Sequence, residues 1–127
     1  SSDITTPSQL LHSTRFHLKF KTTINPEIVL HKFEQNPFIA STNKFDSNQI
    51  FELGRRYGKY GRIYNHGILV ENNLLYTENS VKGWAFIPQE GNSIISTIHA
   101  FLLQVYGVDF ANNRIEKIKK QLLFSKL

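Results

Sequence analysis

The stretch VKGWAFI, Val81 to Ile87, is apolar on both faces of an extended chain. A strand of that composition belongs inside a sheet, paired on both edges and covered on both faces. This one segment therefore demands partner strands and covering layers from the other 120 or so residues of a 127-residue chain. Three further segments read as strands. RFHLKFK alternates Phe16, Leu18 and Phe20 against His17, Lys19 and Lys21, the period-2 pattern of a half-buried strand. PFIAST is a short apolar run, and RIYNHGILVEN is a longer one, with LLYT between it and the central segment. Glu78-Asn79-Ser80 is the expected hairpin turn into Val81.

Helices fill the intervals. In INPEIVLHKFEQNP, Asn25 caps, Pro26 suits the first turn, Glu27 complements the dipole and Asn36-Pro37 ends the helix. Its buried side is expected to be Ile28, Val29, Leu30 and Phe33. FDSNQIFELGRRYG pairs Asp46 with Gln49 at capping-box spacing and repeats Ile50, Leu53 and Tyr57 on one face. Gly58 is expected as its left-handed stop. GNSIISTIHAFLLQVYG has Asn92 or Ser93 to cap it, a wide face of Ile94, Ile95, Ile98, Phe101, Leu102 and Val105, and Gly107 to stop it. NNRIEKIKKQLLF places Ile115, Ile118, Leu122 and Leu123 inward and Lys117, Lys119 and Lys120 outward. The result is one α+β domain over residues 1–127: a mixed or antiparallel sheet of about four strands covered by helices. No internal repeat or long linker interrupts it.

Charge and missing residue types narrow the chemistry. Net charge is +5, which favours anionic partners. Without cysteine there is no disulfide, thiolate metal site or cysteine nucleophile. No apolar run approaches the ~18 residues of a membrane span, so the expected setting is cytoplasmic, with no membrane partner. The five histidines, His12, His17, His31, His66 and His99, show no paired metal spacing, and no metal site is expected. Hydrolase signatures and phosphate-binding glycine loops are absent, and no Rossmann domain is encoded in this chain.

GRRYGKYGR, Gly54 to Arg62, sets Arg55, Arg56, Lys59 and Arg62 among Tyr57 and Tyr60. Cations meet phosphates and rings stack on bases, so a nucleic-acid module is one reading. The competing reading is structural, with Tyr57 on an apolar face, Gly58 as stop and the two arginines against the helix dipole. That reading carries more weight in the sequence. His12 stands just before the alternation of RFHLKFK begins. From residues alone, it fits either a general base or an ordinary surface side chain.

Colinearity adds a family. TTPSQLLH, the strand RFHLKF, the helix NPEIVLHKFEQNP, the helix SNQIFELGRRYG, the strands of RIYNHGILVENNLLYTENSVKGWAFIPQEG and the helix SIISTIHAFLLQ follow one another in order. This succession, over roughly residues 4–105, resembles the C-terminal part of the archaeal-type phosphorylating glyceraldehyde-3-phosphate dehydrogenases. The resemblance implies a portion of that family's catalytic domain. It implies His12 as the general base, Gln89 beside the nicotinamide and Arg15 as a substitute phosphate contact where Thr5 replaces a basic residue. NAD or NADP would be bound mainly by a complementary N-terminal portion carrying the Rossmann domain and the nucleophilic cysteine. The substrate would be a phosphorylated aldehyde of glycolysis, and the assembly a homo-oligomer. By this reading the chain is a fragment or split half and is inactive alone. The alternatives are a small basic nucleic-acid-binding module and a catalytically dead scaffold subunit.

Overall fold

A computed structural model describes residues 2–3, 11–89, 91 and 93–127. Thr5, most of TTPSQLLH and the candidate cap Asn92 therefore lie outside the described residues. The strands are β1 (Ser2–Asp3), β2 (Leu11–Lys19), β3 (Ile39–Thr42), β4 (Gly67–Val70), β5 (Leu75–Thr77) and β6 (Ser80–Pro88). The helices are α1 (Pro26–Glu34), α2 (Ser47–Tyr57), α3 (Ile94–Tyr106) and α4 (Val108–Leu122). The fold is α+β, as expected. Among the described residues its sheet has six strands rather than about four, two of them only two or three residues long.

β6 is the hub of the sheet. The main strand order is β1-β2-β6-β4-β3, and β5 also pairs with β6. The β3–β4 pair is parallel and the others are antiparallel. The β2–β6 ladder runs without a break from Leu11 opposite Pro88 to Lys19 opposite Ser80. Because facing residues of a ladder point the same way and neighbours alternate, the register fixes two faces. Leu11, Phe86, Ile68, Val70 and Ala40 share one face and close with Ile50 and Ile63 into the main core, against which Trp84 and Phe124 pack. The other face carries Phe16, whose ring lies 6.1 Å from Phe33 of α1.

Local punctuation behaves as the residues dictate. Asn25 Oδ1 accepts from the Glu27 N–H at 2.8 Å, and Asp46 Oδ1 from the Asn48 N–H at 2.8 Å. Thr77 and Ser80 pair across the Glu78-Asn79 turn.

Several expected burials do not occur. α1 buries no residue, and Ile28 is 59% exposed. In α3 only Ile95 and Leu102 are buried, while Phe101, Val105 and Ile94 are exposed. Periodicity marks an apolar face, but covering it takes a neighbour, and among the described residues α3 packs chiefly against α4. Lys119 is not outward either. Its ammonium sits 4.8 Å from the Phe38 ring centroid and donates to Glu116 Oε1 at 2.7 Å. That bond, with the charge of Lys119, holds the Glu116 carboxyl below its ordinary pKa.

The C-terminal tail completes the sheet edge. The Ser41 N–H donates to the Ser125 carbonyl at 3.0 Å, and the Leu127 N–H to the Ser41 carbonyl at 2.9 Å. The Thr42 hydroxyl donates to the Leu127 carbonyl at 3.0 Å. Asn65, fully buried, grips the tail from the other side: its amide donates to the Phe124 carbonyl at 2.8 Å and its Oδ1 accepts from the Phe124 N–H at 3.0 Å. An edge strand that would expose unpaired N–H and C=O groups is thereby covered. RIYNHGILVEN forms a strand only at Gly67–Val70.

Candidate functional site

β2 begins earlier than the alternation of RFHLKFK suggests, and His12 is its second residue, exposed, opposite Ile87 of β6. Pro88 ends β6 opposite Leu11, and Gln89, also exposed, follows directly. An unbroken register therefore brings His12 and Gln89 to the same end of the same strand pair. A ring nitrogen and a primary amide, both open to solvent there, give one proton-exchanging group and one donor-acceptor pair.

Arg15 is not brought to His12. It lies three residues on, exposed, opposite Trp84, and strand alternation puts it on the other face of the sheet. There it joins His17 and Lys19 of β2, with Lys82 opposite His17. The His17 imidazole is held below its ordinary pKa by desolvation, and then by Lys82, Lys19 and Arg15. This face is a cationic strip. It is continuous with the core side on which Leu11 sits.

The GRRYGKYGR stretch departs from its structural reading in two respects. Tyr57 is not on a buried face but 67% exposed. Gly58 is not left-handed: its φ of −68° and ψ of 152° are extended. Glycine is needed there for space, since a Cβ would collide with the carbonyl oxygens of Gly54 and Arg62. The positive φ values fall instead at Tyr60 (54°) and Gly61 (71°), between Lys59 and Arg62, which bridge as an antiparallel pair. Two successive positive φ values joining paired residues mark a tight two-residue hairpin, which a KYGR sequence with Gly at the second turn position signals. Tyr60 at its tip is 91% exposed. Arg55, Arg56, Lys59 and Arg62 are exposed around it, with Arg56 paired to Glu52 at 2.7 Å across one helical turn. Gly61, Arg62 and Ile63 line a shallow cleft with Leu11 and Pro88, so the hairpin adjoins the His12 end of the sheet from the core side.

Elsewhere the histidines are dispersed. His31 contacts Gln35 and Glu34 on α1, and His99 contacts Asn112 across the α3–α4 pair. His66 stacks on Phe38 with ring centroids 4.3 Å apart. Its buried Nε2 has no hydrogen-bond partner among the described residues, and burial lowers its pKa. Among the described residues no three His, Asp or Glu side chains converge as metal ligands, and no helix is long and apolar enough to cross a membrane.

Comparison with known proteins supplies no relative: no family model and no curated protein matches the chain.

Proposed function

We propose that this chain is the C-terminal part of the catalytic domain of a phosphorylating aldehyde dehydrogenase of the glyceraldehyde-3-phosphate dehydrogenase type, working in the cytoplasm with a complementary N-terminal portion. The observation that carries the reading is the β2–β6 register, which sets His12 and Gln89 together and solvent-facing at one end of the sheet. His12 on a rigid strand would accept the proton released as a substrate hydroxyl reacts, a role worth roughly 10²–10⁴-fold in rate. Gln89 offers both a donor and an acceptor, the complement of a carboxamide, so it fits the edge of a nicotinamide. That cofactor, when bound, supplies hydride acceptance. Arg15, on the opposite face, contributes positive potential rather than a contact shared with His12. Phosphorylated aldehyde, NAD or NADP, and a homo-oligomeric assembly belong to the same reading.

The test is reconstitution. The chain is mixed with an N-terminal portion bearing the Rossmann domain and the cysteine, and aldehyde-dependent NAD(P)H formation is followed. His12→Ala is expected to reduce kcat at least 100-fold. His17→Ala, on the opposite face of the same strand, leaves it within about twofold. Unchanged turnover in the His12 variant removes the assigned role.

A further inference from the structure

The sequence gives GRRYGKYGR a structural explanation, and the structure withdraws two parts of it. Tyr57 packs on no apolar face, and Gly58 is not a left-handed stop. What remains is an exposed hairpin whose tip holds a tyrosine in the left-handed region that favours glycine. A bulky side chain there costs stability, so the ring is held out at the expense of the fold. Its surroundings are cationic: Arg55, Arg56, Lys59 and Arg62 lie within one to five residues of Tyr60, and Arg56 pairs with Glu52. An exposed pair of that kind is weak and yields to a stronger anion.

A second cationic element lies on the same side of the sheet. Ile63, directly after the hairpin, packs in the cluster that contains Leu11 and Phe86. Their face of the β2–β6 ladder continues through Arg15, His17 and Lys19, with Trp84 and Lys82 opposite. No acidic residue stands on that face of the ladder between Leu11 and Lys19. Ladder spacing of about 3.3 Å per residue makes the cationic part of this face, Arg15 to Lys19, roughly 13 Å long.

From this we infer that the Tyr60 hairpin and the cationic face of β2 form a binding track for single-stranded nucleic acid, with Tyr60 and Tyr57 as stacking platforms. Single strands are favoured over duplexes because a projecting ring needs an unstacked base to meet. Lys59, Arg55 and Lys19 neutralise the backbone on either side. The site adjoins the His12–Gln89 end but uses neither of those residues, and it stands whether or not the dehydrogenase reading does.

The test is fluorescence anisotropy of the purified protein with a labelled twelve-nucleotide oligothymidine, against a duplex of equal length and against heparin as competitor. Binding is expected at low salt, to weaken as salt rises, and to be tighter for the single strand than for the duplex. Tyr60→Gly suits the backbone, so the melting temperature should hold or rise while affinity falls about tenfold, the size of one lost base–ring stack. Lys19→Gln with Lys59→Gln should lower the slope of log K against log salt by about 1.4, from about 0.7 per phosphate contact. Wild-type affinity in Tyr60→Gly, equal binding of duplex and single strand, or no binding at low salt would each overturn the inference.

Discussion

Removing the Asn65 side chain tests whether the C-terminal tail is part of the fold or an appendage. Asn65 is fully buried and makes two hydrogen bonds to one residue, 2.8 Å to the Phe124 carbonyl and 3.0 Å from its N–H. In Asn65→Ala both backbone groups of Phe124 lose their partner. Each such hydrogen bond contributes about 0.5–1.5 kcal/mol net, and leaving a buried group unpaired costs about 1–3 kcal/mol. Because Phe124 is only half-buried, water recovers part of this, and the expected loss is about 2–4 kcal/mol. Trp84, the single tryptophan, packs against the core and reports the transition by fluorescence. With a urea slope of about 1.5 kcal/mol/M, the midpoint should fall by about 2 M. Amide exchange should rise first at Ser41 and Leu127, whose N–H groups hold the tail to β3. Asn65→Asp sharpens the test. Its carboxylate keeps the acceptor for the Phe124 N–H but turns a negative oxygen toward the Phe124 carbonyl, raising its folded pKa. A raised carboxyl pKa makes the deficit largest at neutral pH and smaller as pH falls through that pKa. A loss below about 0.5 kcal/mol in Asn65→Ala, with Leu127 still protected, would refute the clamp.

Gly91→Ala should destabilise by about 3 kcal/mol, because its Cβ would overlap the Asn65 carbonyl oxygen and meet rigid backbone. Gly83→Ala should cost less, about 1 kcal/mol, since its Cβ meets the side-chain ends of Leu74 and Phe16 at 2.7 and 2.8 Å; chemical denaturation of both variants checks the order. His66→Phe keeps the stack on Phe38 and removes a buried nitrogen without a described partner, so stability should rise by about 1 kcal/mol. Burial lowers the His66 pKa, so the unfolded state takes up its proton first and stability falls as pH drops below about 6.5. The variant should lose that part of the acid sensitivity; identical melting curves from pH 7.5 to 5 would show that His66 does not contribute.

Local chemistry was legible where one residue acts on its neighbours. Asn25 and Asp46 cap the helices they precede, and the Glu78-Asn79 turn joins the strands it was expected to join. Val81–Ile87 is central in the sheet because a run apolar on both faces has nowhere else to go. The candidate site was half legible. His12 and Gln89 were singled out by resemblance to a family, but their meeting at one end of the ladder depends on a register between residues some 75 apart. Arg15 shows the limit: it is near His12 in sequence, yet the alternation of β2 turns it to the other side.

What the sequence determined by itself is the set of elements, their caps and turns, and the central place of β6. These follow from short-range hydrogen bonding and from the periods of helix and strand. Only the tertiary structure decided which apolar faces find cover, that Lys119 turns inward over Phe38, and that the tail closes the β3 edge through Asn65. It also decided that Tyr60, not Gly58, takes the left-handed backbone of the basic loop. Each of these rests on contacts between distant segments. A periodic pattern states which side of an element is apolar, and only a neighbour in space settles what meets it.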